Sequence, residues 1–363
     1  MSRFQPRSRP MQMLRSSVGQ STLMLLTSGA ASAAAWGLGH LSIPLAAGAA
    51  AVGAGLAYLV GRGRRATALD SADLRHKTVV VTGANTGIGL ETCKALISVG
   101  AHVIMVCRTA QRGVLAKETV VAAARLGGSA ELVVMDLADL ASVQAAVETI
   151  SDLGVSISIL INNAGIMMCP WGTTVQGHET QWGVNHLGHM WFTLGLLDNI
   201  SQAGGRIVNV ASSAHGFDST PLPITSAADY DRVRAYGRSK IANILFTRLL
   251  NAKLVSANSA ARAYSLHPGA VNSELLRHNT VLAAVTAPLR AIVFQNTWQG
   301  AQTSLYCALD DDAEPGEYHA ECRPAPTTAA ALDMDAAAAL WAYSLTAAES
   351  SRFPMPDPDA IEL

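Results

Sequence analysis

The sequence predicts an α/β fold: a Rossmann-like doubly wound parallel sheet in a single domain, with an N-terminal hydrophobic anchor ahead of it. Three observations predict this architecture. From Lys77 onward, strand-like and helix-like segments alternate, which is the pattern of a parallel sheet covered by helices. The first strand runs into a glycine-rich turn that opens a helix. Upstream, no charged residue occurs in the 46 residues between Arg15 and Arg62.

The chain divides into residues 1–70, a basic and hydrophobic anchor or targeting segment, and residues 71–363, the folded domain. Two apolar stretches, residues 23–38 and 41–60, approach the roughly 20 residues that a membrane-spanning helix needs. Arginines flank this pair on both sides. A two-span hairpin puts both basic flanks on one side of the membrane, as the positive-inside preference requires.

Two other interpretations of the N-terminal region stay open. Residues 1–20 are rich in Arg and Ser and contain no acid, which is typical of a mitochondrial targeting sequence. The apolar run that contains Ala31, Ser32 and Ala33 also fits a cleaved secretory signal. We favour the membrane anchor, with the folded domain facing the cytosol at the endoplasmic reticulum or a similar membrane. A mitochondrial location is the alternative.

Charge and cysteine content exclude several classes of function. Residues 1–69 hold seven arginines and no acid, whereas the remaining residues hold 19 basic and 27 acidic residues, a net charge of −8. An acidic main body argues against a nucleic-acid partner. The cysteines form no C-x-x-C pair and no metal-ligand spacing with histidines, so we expect reduced, mostly buried thiols and no metal site. These are Cys93, Cys107, Cys169, Cys307 and Cys322.

The first predicted strand, residues 78–81, is a continuous β-branched run, as expected for a strand buried on both faces. A Gly-x-x-x-Gly-x-Gly turn follows, and then a helix over residues 90–99. The first glycine permits a tight turn, the second lets the backbone approach a pyrophosphate at the helix N-terminus, and the third allows close helix–strand packing. The turn therefore predicts a dinucleotide site formed by Gly83, Asn85, Thr86, Gly87, Ile88 and Gly89.

The end of the second strand, residues 101–106, indicates which dinucleotide binds. An acidic residue at this position would hydrogen-bond the ribose hydroxyls of NAD, and the sequence has none there. Arg108 stands there instead and can pair with a 2′-phosphate. The sequence therefore predicts NADP (NADPH) as the cofactor.

Four further strands are predicted at residues 131–135, 157–161, 206–210 and 263–266. Each ends in small or polar residues. Because ligands of a doubly wound sheet bind beyond the carboxyl ends of the strands, these residues are expected to face the same site. The cofactor-binding candidates among them are Asp136, Leu137, Asn163, Ala164, Gly165, Pro268, Gly269, Val271 and Ser273.

Tyr236 and Lys240 supply the predicted chemistry. They open a helical pattern and stand four residues apart, so they share one helix face. A tyrosine with an ordinary pKa of about 10 is a poor acid or base near neutral pH, and a neighbouring lysine cation lowers that pKa. Both residues are also expected to contact the cofactor.

These motifs, in this order and spacing, resemble those of the short-chain dehydrogenase/reductases over about residues 76–345. Within that superfamily the chain is most similar to the retinol dehydrogenase group. Five stretches carry the similarity: residues 163–170 (NAGIMMCP), 183–189 (GVNHLGH), 206–210 (RIVNV), 240–246 (KIANILF) and 300–303 (GAQT).

The resemblance implies a catalytic set of Asn185, Ser212, Tyr236 and Lys240. Ser212 would orient the substrate oxygen, and Tyr236 would donate or accept its proton. Lys240 would bind the nicotinamide ribose and lower the pKa of Tyr236, while Asn185 would hold a water that links Lys240 to solvent. Ser273 stands where the family usually has threonine and keeps a hydroxyl for the cofactor.

The implied activity is NADP-dependent interconversion of a hydrophobic alcohol and its aldehyde or ketone. A predicted specificity loop, residues 272–298, is rich in apolar residues and suits such a substrate. Two alternatives remain: a protochlorophyllide reductase-like enzyme, and a membrane-attached NADPH-binding scaffold or sensor, which would not need Tyr236. The expected partners are the small-molecule substrate and a membrane; whether the chain forms a homodimer stays open.

The 46-residue uncharged stretch predicts that the full chain stays with membranes. After washing with alkaline carbonate, which removes peripheral proteins, the full chain should sediment with the membrane fraction. A chain starting near Asp70 should remain soluble and still bind NADPH. Full-length protein in the supernatant would contradict the anchor.

Overall fold

The structure, a computed structural model, describes residues 64–271 and 295–349. Within these residues, parallel strands form a seven-stranded sheet in the order β3-β2-β1-β4-β5-β6-β7. The order reverses between β1 and β4, which is where an open α/β sheet forms its ligand crevice. The strands are β1 Thr78–Thr82, β2 His102–Cys107, β3 Ser129–Val134, β4 Ile157–Asn162, β5 Arg206–Val210, β6 Arg262–His267 and β7 Tyr318–Ala320.

The predicted doubly wound parallel sheet is confirmed, and the six predicted strands are all present with ends shifted by at most two residues. The sequence did not predict β7. This strand has three residues and pairs with β6 from Ser265↔Tyr318 to His267↔Ala320. A run this short carries no alternating or continuous apolar pattern, so pairing with β6 decides its conformation.

Helices cover both faces of the sheet. Alternate residues of β1 enter different cores: Val80 packs in one cluster, and Val79 and Val81 pack in the other. Burial on both faces explains why the strand is apolar throughout. The helices are α1 Gly87–Ser98, α2 Ala110–Val121, α3 Leu140–Asp152, α4 Gly188–Gly195, α5 Leu197–Gln202, α6 Arg232–Ser256, α7 Thr297–Leu309 and α8 Met334–Glu349.

Helix α6 begins at Arg232, one turn earlier than the apolar pattern indicates. The carboxylate of Asp231 caps it by accepting hydrogen bonds from the backbone N–H groups of Val233 (2.9 Å) and Arg234 (2.8 Å). An aspartate cap satisfies N–H groups that have no partner within the helix. As a result, Tyr236 lies in the second turn of a rigid helix and not at its frayed end.

The chain enters α4 through an irregular turn. A short α-helical turn, Thr180–Trp182, continues into a π-helical turn, Gly183–Leu187, before α4 begins. Glu179 caps the start by accepting from the N–H groups of Gln181 (2.8 Å) and Trp182 (2.9 Å). Such π turns often occur at functional sites because they redirect a side chain. Asn185 lies in the middle of this one.

The C-terminal helix α8 packs against the two helical segments that carry the predicted catalytic residues. Trp341 stacks on Phe246 of α6, with ring centroids 5.8 Å apart and planes inclined by 23°. Ser344 lies 3.0 Å from Nε2 of His186 in the π turn. Trp182 is fully buried beside the same helix. His186 and Trp182 are therefore core residues.

The predicted anchor lies almost entirely in residues 1–63, outside the residues that the structure describes. Within residues 64–271 and 295–349, no helix is long and apolar enough to cross a membrane. Near the end of the predicted segment 1–70, the N–H of Ala66 donates to Oε1 of Gln302 in α7 at 3.1 Å. The five cysteines are free thiols, and four are buried, in line with the sequence.

Candidate active site

The glycine-rich turn lies at the carboxyl end of β1. Gly83 has φ +65°, a left-handed conformation that favours glycine, and a Cβ there would lie 2.9 Å from the Cα of Ala164. At Gly89, a Cβ would lie 2.4 Å from the carbonyl oxygen of Gly83. Thr86 precedes α1 without capping it through its side chain. The first N–H groups of α1 therefore remain for an anionic ligand, and the turn fits a pyrophosphate.

Thr82 joins this turn to the loop after β4. Its hydroxyl oxygen accepts from the N–H groups of Asn163 (2.9 Å) and Ala164 (3.0 Å). The same oxygen lies 2.9 Å from Nε2 of His189, whose Nδ1 lies 3.0 Å from the Asn185 carbonyl oxygen. Burial lowers the pKa of His189 to about 4, so the ring is neutral and accepts from Thr82 while donating to Asn185. His189 therefore orders the site without acting as a ligand.

Asn185 uses its carboxamide to hold the backbone of that loop. Its Oδ1 accepts from the N–H of Ile166 and its Nδ2 donates to the carbonyl of the same residue, both at 2.9 Å. Nδ2 also donates to the Ser239 hydroxyl at 2.9 Å, which ties the π turn to α6. Close approach is possible because Gly165 has no side chain: a Cβ there would lie 3.3 Å from Oδ1 of Asn185 and 3.7 Å from Nζ of Lys240.

Ser212 and Tyr236 are neighbours in the site. The phenol of Tyr236 is buried, and the Ser212 side chain lies close enough to lower its pKa against the effect of burial. Ser212 also caps a short 3₁₀ turn, Ser213–Phe217, by accepting from the N–H of Ala214 at 3.2 Å, which fixes its rotamer. The neighbouring Ser213 is exposed and donates its backbone N–H to His267. The two adjacent serines therefore differ in their surroundings: Ser212 lies beside the phenol and Ser213 is exposed.

Lys240 lies one turn beyond Tyr236 on α6 and is only 3% exposed. Its Nζ donates to the Val210 carbonyl at 2.9 Å and lies 5.7 Å from the centroid of the Tyr236 ring. Desolvation disfavours the charged ammonium and lowers the pKa of Lys240 to about 7. Burial likewise raises the pKa of Tyr236 to about 12, although the neighbouring Ser212 side chain opposes this. Burial, not the lysine charge, dominates the Tyr236 pKa in this structure.

Buried polar side chains form a continuous series of hydrogen bonds from the sheet toward Lys240. We call this series the polar chain. Nδ2 of Asn162 donates to Oδ1 of Asn209 at 2.8 Å, and Nδ2 of Asn209 donates to the Thr247 hydroxyl at 2.9 Å. The Thr247 hydroxyl donates to the Asn243 carbonyl at 2.7 Å. Nδ2 of Asn243 lies 3.4 Å from the Val210 carbonyl that also receives Lys240. The polar chain fixes α6 against the ends of β4 and β5.

The remaining predicted cofactor residues lie at the same edge of the sheet. Arg108 follows β2 directly and is exposed. Asp136 follows β3 and accepts from the N–H of Ala138 at 2.9 Å, and Leu137 packs against Gly188 at the start of α4. Beyond β6 come Pro268, Gly269 and Val271, and Val271 borders Gly300 in α7. Ser273 and most of the predicted specificity loop lie outside the described residues.

Three contributions to this site were missed at the sequence level. The Thr82 hydroxyl stands just before the glycine turn, and its position at a strand end was an available signal. The Val210 carbonyl is a backbone group, so no residue type indicates it. Gln181 resembles an ordinary polar helix residue in sequence, yet it is fully buried and holds the N–H of Met168 at 2.7 Å.

Known proteins share this arrangement of motifs. The family model described as short chain dehydrogenase matches residues 77–281. The chain is 40% identical over 281 residues to retinol dehydrogenase 12 of Homo sapiens, covering 76% of this chain and 87% of that protein. It is 34% identical over 308 residues to the chloroplastic short-chain dehydrogenase TIC 32 A of Brassica napus, covering 80% and 95%. A crystal structure of an uncharacterized protein from Mycobacterium paratuberculosis has a TM-score of 0.61 at 34% identity, covering 78% of this chain and 98% of that one.

Proposed function

The chain belongs to the short-chain dehydrogenase family, and from this premise we propose that it is an NADP-dependent oxidoreductase interconverting a hydrophobic alcohol and its aldehyde or ketone. One observation carries the proposal. The buried Tyr236 phenol lies beside the Ser212 side chain at the carboxyl edge of the sheet, and the buried amine of Lys240 lies 5.7 Å from the Tyr236 ring centroid. This edge also carries the glycine turn that fits a pyrophosphate.

Tyr236 and Ser212 act on the substrate oxygen. A carbonyl oxygen placed beside both hydroxyls accepts a hydrogen bond from each, and negative charge develops on it during reduction. Tyr236 then transfers its proton to that oxygen. With a pKa of about 12, the phenol is protonated at neutral pH and the proton is available. Ser212 keeps its hydrogen bond throughout and stabilises the oxygen in the transition state.

Lys240 has two roles in this proposal. An ammonium group has three donors, and one is directed at the Val210 carbonyl. The others suit the hydroxyls of the nicotinamide ribose. A positive charge near Tyr236 favours the phenolate, which is the form that accepts a proton from an alcohol during oxidation. Asn185 fixes the backbone beside Lys240, and we retain the proposal that it holds a water leading to solvent.

When bound, NADPH would supply the hydride for carbonyl reduction, and NADP⁺ would accept the hydride during alcohol oxidation. Its pyrophosphate suits the N-terminus of α1, and the backbone of residues 163–165 lines the path toward Lys240. Arg108 at the end of β2 suits the 2′-phosphate, because no carboxylate stands at that position to repel it. Asp136 and Leu137 suit the adenine side of the site, whereas Pro268, Gly269, Val271 and Ser273 suit the nicotinamide side.

The proposed substrate class follows from the apolar composition of the predicted specificity loop. Residues 272–298 contain many large apolar side chains, and relatives that are 40% identical carry the name retinol dehydrogenase. We therefore propose a long apolar alcohol or carbonyl, of which a retinoid is one member. A lipid-soluble substrate also agrees with attachment to a membrane through residues 1–70. Cofactor and substrate would then meet on the cytosolic side.

Replacing Tyr236 with phenylalanine tests the proton donor. Tyr236→Phe should reduce turnover of any accepted carbonyl by roughly 10²–10⁴-fold, the usual contribution of a positioned acid. NADPH binding should persist, since the glycine turn and Arg108 are untouched. Steady-state rates and NADPH fluorescence measure the two effects.

The adjacent serines provide a matched control. Ser212→Ala should lose most turnover because its hydroxyl contacts the phenol, whereas Ser213→Ala should keep it because that side chain is exposed. Near-normal turnover by Tyr236→Phe would refute the assignment. Tight NADPH binding without turnover of any carbonyl or alcohol would favour the scaffold alternative.

Arg108 determines the cofactor preference in this proposal. The unmodified protein should bind NADPH more tightly than NADH by about 1–3 kcal/mol, the value of charge-assisted hydrogen bonds. Arg108→Ala should weaken NADPH and leave NADH nearly unchanged in calorimetric titrations. Arg125→Ala is the control, because Arg125 is exposed and precedes β3 at the opposite edge of the sheet. Equal affinity of the unmodified protein for both cofactors would refute the preference.

A further inference from the structure

The loop after β4, residues 163–170, is held at two separate points, and each point uses a side chain of the same helical segment. The first point is the Asn185 carboxamide on the backbone of Ile166. The second lies farther from the cofactor turn. There Gln181, one turn before Asn185, and Tyr230, just before α6, bind the backbone of Met168 and Cys169.

The second point is a closed set of hydrogen bonds, called here the Gln181–Tyr230 clasp. Oε1 of Gln181 accepts from the N–H of Met168 at 2.7 Å. Its Nε2 donates to the Tyr230 hydroxyl at 2.8 Å and to the Arg232 carbonyl at 3.0 Å. The Tyr230 hydroxyl in turn donates to the carbonyl of Cys169 at 2.9 Å. Every polar atom of the buried Gln181 carboxamide is therefore used, which gives the loop a defined position.

The clasp holds a backbone conformation that the loop would not adopt without support. Met168 has φ +51°, in the left-handed region that a residue with a side chain occupies at a cost of about 1 kcal/mol or more. The hydrogen bonds at the Met168 N–H and the Cys169 carbonyl flank this peptide on both sides. The ring of Tyr230 also packs edge-on against Trp171, with centroids 5.2 Å apart.

The loop runs from the catalytic groups toward the clasp. It passes Lys240 at Gly165, where a Cβ would lie 3.7 Å from Nζ, and then reaches the half-buried Met167 and Met168. Tyr230 directly precedes Asp231, the cap of the helix that carries Tyr236. The clasp therefore fixes the two methionines relative to the proton donor.

We propose that Gln181, acting through the Gln181–Tyr230 clasp, is a positioning residue that determines which alcohols and carbonyls the site accepts. This inference rests on the proposed function of the same site. A substrate with its oxygen at Tyr236 and a long apolar chain packs against Met167 and Met168, whose thioether side chains contact varied apolar shapes. A short substrate does not reach these two methionines. Release of the loop therefore weakens binding of long substrates and leaves short ones unaffected.

The test compares decanal with butanal as substrates, using NADPH and the full chain. Tyr230→Phe removes one hydroxyl and keeps the ring against Trp171, and Gln181→Met removes the polar atoms at similar volume. Each should raise KM for decanal about tenfold, the effect of one or two lost hydrogen bonds, with kcat changed less than about twofold. KM for butanal and the Kd of NADPH should stay within about twofold. Because both variants open the same clasp, the double variant should do little more than the stronger single one.

Tyr343→Phe is the matched control. It also removes a tyrosine hydroxyl, and its ring packs on Trp182 in the same helical segment at 5.6 Å, but it makes none of the hydrogen bonds of the clasp. Deuterium uptake of residues 163–171, followed by mass spectrometry, should rise in both clasp variants and stay unchanged in this control. This measurement reports on the loop without requiring turnover.

Three results would overturn the inference: unchanged deuterium uptake in the clasp variants, an equal rise in KM for both aldehydes, or a fall in kcat with KM constant. If the unmodified protein turns over neither aldehyde, the proposed function fails separately. The comparison is then made on the Kd of decanol and butanol from tryptophan fluorescence. A selective loss of decanol binding supports the clasp, and equal affinities across the variants refute it.

Discussion

The burial of the Lys240 amine is the constraint on which the rest of the site depends. Its Nζ is almost completely removed from water and is received by the backbone carbonyl of Val210. Placing an ammonium group in such surroundings costs free energy unless polar groups receive it. The polar chain from Asn162 to Asn243 ends at the same carbonyl, so the sheet and α6 are joined where the amine needs an acceptor. The need for an acceptor for the Lys240 amine thus accounts for the buried polar groups at this edge of the sheet.

The same burial shifts the pKa values of the two titratable groups of the site, Lys240 and Tyr236. Desolvation moves the pKa of Lys240 down to about 7 and that of Tyr236 up to about 12. Each change disfavours the charged form, so the phenol keeps its proton and the amine holds its charge weakly. Ligand hydroxyls at Nζ stabilise the ammonium and thereby favour the phenolate. In the proposed mechanism, a ribose bound at Nζ would therefore couple to proton transfer at Tyr236 through charge.

Residue patterns were sufficient to predict the strands of the sheet and the glycine turn at its carboxyl edge. Buried parallel strands are continuous apolar runs in the sequence, and glycine turns have a fixed spacing. Residue patterns were insufficient for β7, which is defined by pairing with β6, and for the start of α6, where Asp231 rather than an apolar pattern determines the boundary. The role of the Val210 carbonyl could not be predicted either, because it is a backbone group that every residue type carries. Gln181 and Tyr230 lie 49 positions apart, so only the folded chain brings them together.

The most direct test is urea unfolding of Lys240→Met and of the unmodified protein across pH 6–10. Because folding lowers the Lys240 pKa from 10.5 to about 7, the cost of burying the charge is fully present below pH 7. It disappears as the pH rises from 7 to 10.5, since the folded state alone is deprotonated there. Lys240→Met should therefore be more stable at pH 6, by a few kcal/mol at most, with its advantage shrinking toward pH 10. A variant that is less stable at pH 6, or whose advantage does not change with pH, would contradict the account.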